Sequence, residues 1–88
     1  MEQVTVEMTP DAARQFDKLP VVIRRRVEEI FGRLGRWPDV SGVKPMRREL
    51  KGSYRARTGG WRVLFTVNDA AGVVLVFRID NRRDVYEY

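Results

Sequence analysis

The sequence predicts an α+β fold: a small single domain in which an N-terminal strand and an αα-hairpin pack on a mainly antiparallel β-sheet, in the order β-α-α-β-β-β. Three observations support this prediction. A Gly-Gly pair separates two segments of alternating polarity, which is typical of a two-residue β-hairpin. A third strand-like segment follows the hairpin. Two segments with helical spacing precede it, divided by Pro20. With 88 residues, the chain is long enough for one modest core.

The first strand and the first helix are predicted from the N-terminal residues. Apolar and polar residues alternate over a short stretch, where the apolar positions are Val4, Val6 and Met8. A helix start follows, because Thr9 suits the N-cap and Pro10 suits the first helical position. We expect this helix to continue to about Leu19, before Pro20 interrupts it.

The second helix is predicted from apolar residues that recur with helical spacing, namely Ile23, Val27, Ile30, Phe31 and Leu34. Gly35 is the expected C-cap. The arginine run at 24–26 falls between two apolar positions, which predicts a solvated face; docking on a large anion such as RNA is the alternative. Residues 36–46 contain two prolines and a glycine, so we expect a loop, with Trp37 as an anchor in the core.

The Gly-Gly pair fixes the register of the hairpin. If Thr58 and Trp61 form the last pair before the turn, both glycines are central turn residues and both are expected to have a positive φ. The remaining opposite pairs are then Arg57 with Arg62, Ala56 with Val63, Arg55 with Leu64 and Tyr54 with Phe65. Because opposing side chains project to the same face, one face is apolar. The other face carries Arg55, Arg57 and Arg62.

Residues 73–80 are predicted to form the next strand. Pairing Val67 with Val73 continues the apolar face across three strands. The further pairs are Phe65 with Leu75, Val63 with Phe77 and Trp61 with Ile79. The same register places Arg62 opposite Arg78.

Four arginines therefore share the polar face of the predicted sheet: Arg55, Arg57, Arg62 and Arg78. Like charges opposite one another destabilise a sheet, so this arrangement favours an external polyanion as ligand. The alternative is a solvated face with internal acidic partners, for which the candidates are Asp80, Asp84 and Glu49. The net charge is +5, and 14 arginines stand against three lysines. This excess favours nucleic acid, because the guanidinium fork matches phosphate.

Cysteine and histidine are both absent. The chain therefore lacks the ligands of the usual zinc sites and the side chains of Ser-His-Asp and Cys-His triads. We expect no metal and no cofactor, so any catalysis has to use Arg, Lys, Tyr, Asp, Glu, Ser or Thr. No apolar run is long enough to span a bilayer, which predicts a soluble, cytoplasmic protein without membrane contacts.

Four motifs follow one another along the second half of the chain: Leu50-Lys51-Gly52, Tyr54-Arg55-Ala56-Arg57, Trp61-Arg62-Val63 and the closing Arg82-Arg83-Asp84-Val85-Tyr86. In this order they resemble the RelE/ParE toxin superfamily of bacterial toxin–antitoxin modules, and most of all its RelE branch. The resemblance covers residues 1–88, which implies a single toxin domain. Members of the RelE branch enter the ribosomal A site and cut messenger RNA during translation. A ribosome-dependent endoribonuclease is therefore implied, with the ribosome, messenger RNA and a cognate antitoxin as partners.

The resemblance implies functional roles for Arg55, Arg57, Arg62, Arg82 and Tyr86, and Glu49 is added as the carboxylate that the sequence places best to act as a base. The predicted catalytic residues are therefore Arg57, Arg62, Arg82, Tyr86 and Glu49. The general base is either Tyr86, the closing tyrosine of the family pattern, or Glu49, the carboxylate just ahead of the hairpin motifs. RNA binding is predicted for the neighbouring cations Arg55, Arg78, Lys51 and Arg83. In the hypothetical mechanism, a ribose 2′-OH attacks the adjacent phosphate and the arginines stabilise the charge that develops.

Two other functions stay open. A ParE-like toxin would inhibit DNA gyrase by binding, and it would not require Arg55, Arg57, Arg62 and Tyr86 as a set. A catalytically silent RNA-binding or ribosome-binding module would fit a site built on arginine, because arginine effectively never loses its proton.

Overall fold

The computed structural model describes residues 4–81, which form two α-helices and a five-stranded sheet. The elements in chain order are β1 (Thr5–Met8), α1 (Pro10–Asp17), α2 (Val21–Leu34), β2 (Val43–Pro45), β3 (Tyr54–Thr58), β4 (Trp61–Asn68) and β5 (Val73–Asn81). A short 3₁₀ turn, Arg48–Leu50, precedes β3. The strand order is β1-β5-β4-β3-β2, in which β1 pairs with β5 in parallel and the other pairs are antiparallel. The predicted α+β class with a mainly antiparallel sheet is confirmed.

The first helix begins where the sequence predicts. The hydroxyl of Thr9 accepts a hydrogen bond from the backbone N–H of Ala12 at 3.1 Å, and Pro10 opens the first turn. This cap satisfies one of the N–H groups that lack a partner within the helix. The helix ends at Asp17, slightly before the predicted end, while Leu19 still packs in the core.

The second helix ends at Leu34 with Gly35 as its C-cap, as predicted. Its buried residues Val27, Ile30 and Leu34 pack in one cluster with side chains from the sheet. Burying a side chain of this size contributes about 1.5–3 kcal/mol relative to leaving it exposed. Within residues 4–81, neither helix has the length and apolar character that a membrane crossing requires.

Both helices pack on the same side of the sheet, which we call the core face. Its side chains are Val4, Val6, Met8, Tyr54, Ala56, Trp61, Val63, Phe65, Val67, Val74, Val76 and Ile79. Trp37 is the predicted anchor: its ring lies 4.9 Å from the ring of Tyr54 and 5.8 Å from that of Phe65, centroid to centroid. The segment after α2 is therefore fastened to the sheet by an aromatic cluster.

One strand was not expected. Within the predicted loop at 36–46, residues Val43–Pro45 form β2 and pair antiparallel with β3. The loop prediction is wrong for these residues because pairing with β3, rather than a pattern of their own, makes the strand. Proline is tolerated there because β2 is an edge strand.

The β3–β4 hairpin has the predicted register. Thr58 pairs with Trp61, and Arg57 with Arg62. The turn itself differs, because only Gly59 of the glycine pair has a positive φ, 59°. A positive φ at the first central position alone is the pattern of a type II′ turn. The prediction of two positive φ angles is therefore wrong.

The register between β4 and β5 also differs from the prediction. The observed pairs are Val63 with Ile79, Leu64 with Arg78, Phe65 with Val76 and Val67 with Val74. Phe77 is skipped in this series and is the extra residue of a β-bulge, where two residues of one strand oppose one of the other. The predicted pairs of Val67 with Val73 and of Arg62 with Arg78 are wrong. The alternation of a continuous apolar run does not reveal such a bulge.

The bulge changes which side chains of β5 reach the core. Val74 and Val76 are fully buried on the core face, where the sequence had placed Leu75 and Phe77. Leu75 and Phe77 instead belong to the opposite side of the sheet and are half-buried there. Beyond the bulge, Ile79 faces the core as the sequence predicted, since it is buried opposite Val63.

Candidate functional site

The side of the sheet opposite the helices carries the predicted arginines, and we call it the outer face. Register and alternation assign to it Lys44, Arg55, Arg57, Arg62, Leu64, Thr66, Leu75, Phe77, Arg78 and Asp80. The four arginines that the sequence grouped on one face therefore share it. Cations occupy one end of the outer face, whereas apolar side chains lie toward the other.

Arg62 is paired with Asp80 across the β4–β5 ladder. Its Nε and Nη2 atoms donate to the two carboxylate oxygens of Asp80, each at 2.9 Å. The two side chains are only 14% and 15% exposed. Because a bidentate pair fixes the plane of a guanidinium as well as its position, Arg62 is held in one orientation. Asp80 is therefore the internal partner of Arg62, as the alternative interpretation of the sequence proposed.

Arg57 lies opposite Arg62 on its other side, and Arg57 is exposed. A line across three strands thus places one carboxylate, that of Asp80, beside two guanidinium groups. Asp80 offsets part of the repulsion that two opposed arginines would produce. The line keeps a net positive charge, and its exposed end is suited to an external anion.

The next line across the sheet surrounds an apolar residue with cations. Leu64 pairs with Arg55 on one side and Arg78 on the other, and Lys44 lies opposite Arg55. Leu64 is fully buried even though it belongs to the outer face. Charges act more strongly beside low-dielectric surroundings than in bulk water. Phosphate binding is therefore more favourable here than on a fully solvated surface.

Glu49 and Lys51 lie at the 3₁₀ turn ahead of β3, and both are exposed. They line an open groove of ≈ 350 Å³ whose other walls include Leu50, Thr66 and Phe77. The groove borders the line of cations, because Phe77 directly precedes Arg78 on β5. The fold thus brings Glu49 and Lys51 to the edge of the arginines on the outer face.

Three predicted site residues lie outside the described part of the chain: Arg82, Arg83 and Tyr86. The same is true of Asp84. In the described range 4–81, no group of three or more Asp, Glu, His or Cys residues is arranged to hold a metal ion.

The arginine run on α2 is divided between two roles. The Nη2 group of Arg24 donates to the backbone carbonyl of Asp17 at 2.8 Å, and its guanidinium lies 5.6 Å from the ring centroid of Phe16. Arg24 therefore links α2 to α1. Arg25 and Arg26 are exposed, as the predicted solvated face requires.

Sequence reasoning missed three members of the outer face and gave a fourth the wrong partner. Lys44 was assigned to a loop, Leu75 and Phe77 were assigned to the core, and the β5 partner of Arg62 was predicted to be Arg78 instead of Asp80. Pairing with β3 and the bulge on β5 decide these positions. The one signal available in the sequence was an acidic residue, Asp80, at the end of the last strand, where it can neutralise an arginine.

Comparison with known proteins identifies the family. A protein-family model described as the ParE toxin of type II toxin–antitoxin systems matches residues 6–86. The chain is 42% identical to toxin RelG of Mycobacterium tuberculosis over 83 residues, which cover 93% of this chain and 94% of RelG. It is 37% identical to toxin RelE of the same organism over 82 residues, covering 92% of this chain and 84% of that toxin.

Comparison with solved structures supports the same family. The crystal structure of the toxin–antitoxin complex RelBE2 from Mycobacterium tuberculosis contains a chain that matches with a TM-score of 0.81 and 41% identity, covering 93% of this chain and 94% of that one. The resemblance first indicated by the hairpin motifs is confirmed. The chain therefore belongs to the ParE toxin family of type II toxin–antitoxin systems.

Proposed function

We propose that this toxin cleaves messenger RNA in the ribosomal A site during translation and that a cognate antitoxin neutralises it. The observation that carries the proposal is the line of Arg57 and Arg62 on the outer face, with the exposed Arg78 in the neighbouring line. Similarity to the toxins named RelG and RelE, over most of their lengths, supports the RelE branch.

The proposed reaction is a transesterification. The ribose 2′ oxygen forms a bond to the adjacent phosphorus, and the bond from phosphorus to the 5′ oxygen of the next nucleotide breaks. The products are a 2′,3′-cyclic phosphate and a free 5′-OH. The phosphorane between them carries extra negative charge, so donors already in place around it lower the barrier. Removing one such donor costs roughly 100- to 1,000-fold in rate.

Arg57 and Arg62 have different parts in this mechanism. Arg57 is exposed and binds a non-bridging phosphate oxygen directly. Arg62 is oriented in advance by its two hydrogen bonds to Asp80, so little reorganisation is needed when RNA arrives. Asp80 acts through Arg62 and is a positioning residue.

Two proton transfers complete the reaction, because the 2′-OH loses a proton and the leaving 5′ oxygen gains one. Glu49 and Tyr86 are the two candidates for the base. The carboxylate of Glu49 is exposed at the groove beside the arginines. The ribosome holds the messenger in the A site, and such positioning lowers the demand on the toxin's own acid and base.

A cognate antitoxin is proposed because the RelBE2 toxin was solved in complex with its antitoxin. The outer face suits an acidic segment, since carboxylates form charge-assisted hydrogen bonds with arginine. A segment laid over Arg57 and Arg78 would exclude RNA from the same surface.

Primer extension on a defined messenger in a cell-free translation reaction tests the proposal. We expect discrete cuts within the translated region that require ribosomes and disappear when the antitoxin is added. The control is the same messenger and toxin without ribosomes, where we expect no cuts. Intact messenger with translation still inhibited would identify a silent ribosome-binding module. Intact messenger with normal translation would lead to a supercoiling assay for inhibition of DNA gyrase.

A further inference from the structure

The groove beside the 3₁₀ turn has two apolar walls and a charged rim. Its lining includes the half-buried apolar residues Leu50 and Phe77 and the exposed residues Glu49, Lys51 and Thr66. At ≈ 350 Å³ the groove falls at the lower end of the range for small-ligand sites. The groove adjoins the arginines of the outer face, because Phe77 directly precedes Arg78.

Phe77 lies on the outer face, next to the bulge on β5. Val76 is buried on the core face, so alternation places Phe77 on the outer face, and the skipped residue then keeps Arg78 on that same face. Phe77 is half-buried there and does not belong to the cluster of core side chains. Bulges that redirect a side chain are over-represented next to active sites. A partly exposed aromatic ring beside cations is typical of surfaces that stack nucleobases.

The opposite wall is held by a tight turn. The carbonyl of Leu50 accepts hydrogen bonds from both the hydroxyl and the backbone N–H of Ser53, the latter at 3.0 Å. Arg48, in the same turn, has a φ of 59°, a left-handed conformation that costs a non-glycine residue about 1–2 kcal/mol. Such strain persists where the surrounding structure enforces it, and it clusters at binding sites.

We propose that this groove binds one nucleobase of the RNA whose phosphate lies on the arginines. This proposal rests on the proposed function, which supplies single-stranded RNA as the ligand. The base would stack on Phe77 and contact Leu50. The carboxylate of Glu49 accepts hydrogen bonds from exocyclic amino groups, which favours adenine, cytosine or guanine over uracil and leaves Tyr86 as the candidate base for the cleavage reaction.

The position of the groove relative to the cations fits this ligand. Arg78 follows Phe77 directly, so a phosphate on Arg78 and a base on Phe77 belong to neighbouring parts of one nucleotide strand. Thr66 and Leu64 on β4 are two residues apart, which is about 7 Å along a strand. A nucleotide spans a comparable distance from its phosphate to its base. The groove is therefore placed to select the base next to the bound phosphate.

A methyl NMR titration of the full-length toxin tests the groove without ribosomes or cleavage. The probes are AMP, CMP, GMP and UMP, with ribose 5-phosphate as the control that has a phosphate but no base. We expect the Leu50 methyl signals to shift with AMP, CMP and GMP, less with UMP, and not with ribose 5-phosphate. Equal shifts with ribose 5-phosphate would overturn the proposal. So would Leu50 signals that ignore every nucleotide but respond to the antitoxin, an outcome that would identify a protein-binding groove.

Two substitutions of Phe77 separate stacking from folding. Phe77→Leu keeps an apolar side chain but removes the ring, and we expect nucleotide affinity to fall roughly tenfold, within the range for lost base stacking. Phe77→Tyr keeps the ring and should remain within about twofold of wild type. Equal loss in both variants, or no loss in Phe77→Leu, would contradict the proposal. Absence of messenger cleavage in translation would instead count against the proposed function and leave this titration informative.

Discussion

Two groups of arginines differ in what the fold does with them. The run on α2 places Arg25 and Arg26 in solvent and uses Arg24 to hold two helices together. On the outer face, arginines that are distant in sequence come into register across neighbouring strands, so that Arg57 and Arg62 lie side by side. The fold therefore gives different roles to arginines that are adjacent in the sequence, and it brings together arginines that are separated in the sequence.

The difference lies in what each arrangement can do to an anion. Arg25 and Arg26 are exposed, and salt screens the interactions of solvent-exposed charges. On the outer face, Asp80 fixes one guanidinium, and the fully buried Leu64 pairs in register with Arg55 and Arg78. Ordered donors with less water around them stabilise developing charge more strongly. The chemistry that we propose therefore belongs to the sheet, whereas Arg24 contributes to helix packing and we expect Arg25 and Arg26 to take no part in it.

The largest stability effect should come from Arg62→Ala. This change leaves the largely buried carboxylate of Asp80 without its bidentate partner, which should cost about 3 kcal/mol of unfolding free energy. The exposed pair between Arg14 and Asp11 is the matched control, and Arg14→Ala there should cost about 0.5 kcal/mol or less. Urea denaturation measures both. Equal losses in the two variants would mean that the Arg62 pair is no more important to stability than a surface pair.

Gly59→Ala should cause the next largest loss of stability. The positive φ of Gly59 is disfavoured for alanine, so the hairpin that aligns Arg57 with Arg62 should lose about 1–2 kcal/mol. Gly60→Ala is the control, because its added Cβ would meet the side-chain oxygen of Asn81 at 3.6 Å, an ordinary contact. Thermal unfolding followed by circular dichroism compares the two. A larger loss for Gly60→Ala would contradict the turn described above.

Arg24→Met should have the smallest of these effects. The methionine keeps an apolar stem over Phe16 but loses the hydrogen bond to Asp17 and the cation–π contact, at a cost of about 1 kcal/mol. Arg25→Met removes only an exposed charge and should stay within about 0.5 kcal/mol of wild type. The same urea series checks this. Equal losses of unfolding free energy in the two variants would contradict the different roles given to Arg24 and Arg25.

The sequence predicts the hairpin well because its own residues determine it. A two-residue turn leaves a single register, and alternation then places Arg55, Arg57 and Arg62 on one face. The cap at Thr9 and the end of α2 at Gly35 are likewise local and are confirmed. Two of the four motifs that carry the family resemblance lie in this hairpin, and the family is confirmed by the comparison with known proteins.

The errors arise where distant parts of the chain decide the structure. The loop between β4 and β5 is too long to fix a register. Every residue from Val73 to Phe77 is apolar, so the sequence does not show which of them face the core and which face outward. The bulge at Phe77 resolves that ambiguity and also places Asp80 beside Arg62. The roles of Arg82, Arg83 and Tyr86 stay predictions.

The most direct test of the assignment of chemistry to the sheet compares Arg57→Ala with Arg25→Ala in ribosome-dependent messenger cleavage. Each variant removes one exposed arginine, so net charge changes equally and neither loses an ion pair in the described residues. The cleavage rate is followed by primer extension under single-turnover conditions at one salt concentration. We expect Arg57→Ala to be slower by roughly 100-fold or more, while Arg25→Ala stays within about threefold of wild type. Equal rates for the two variants would contradict the central role of the outer face.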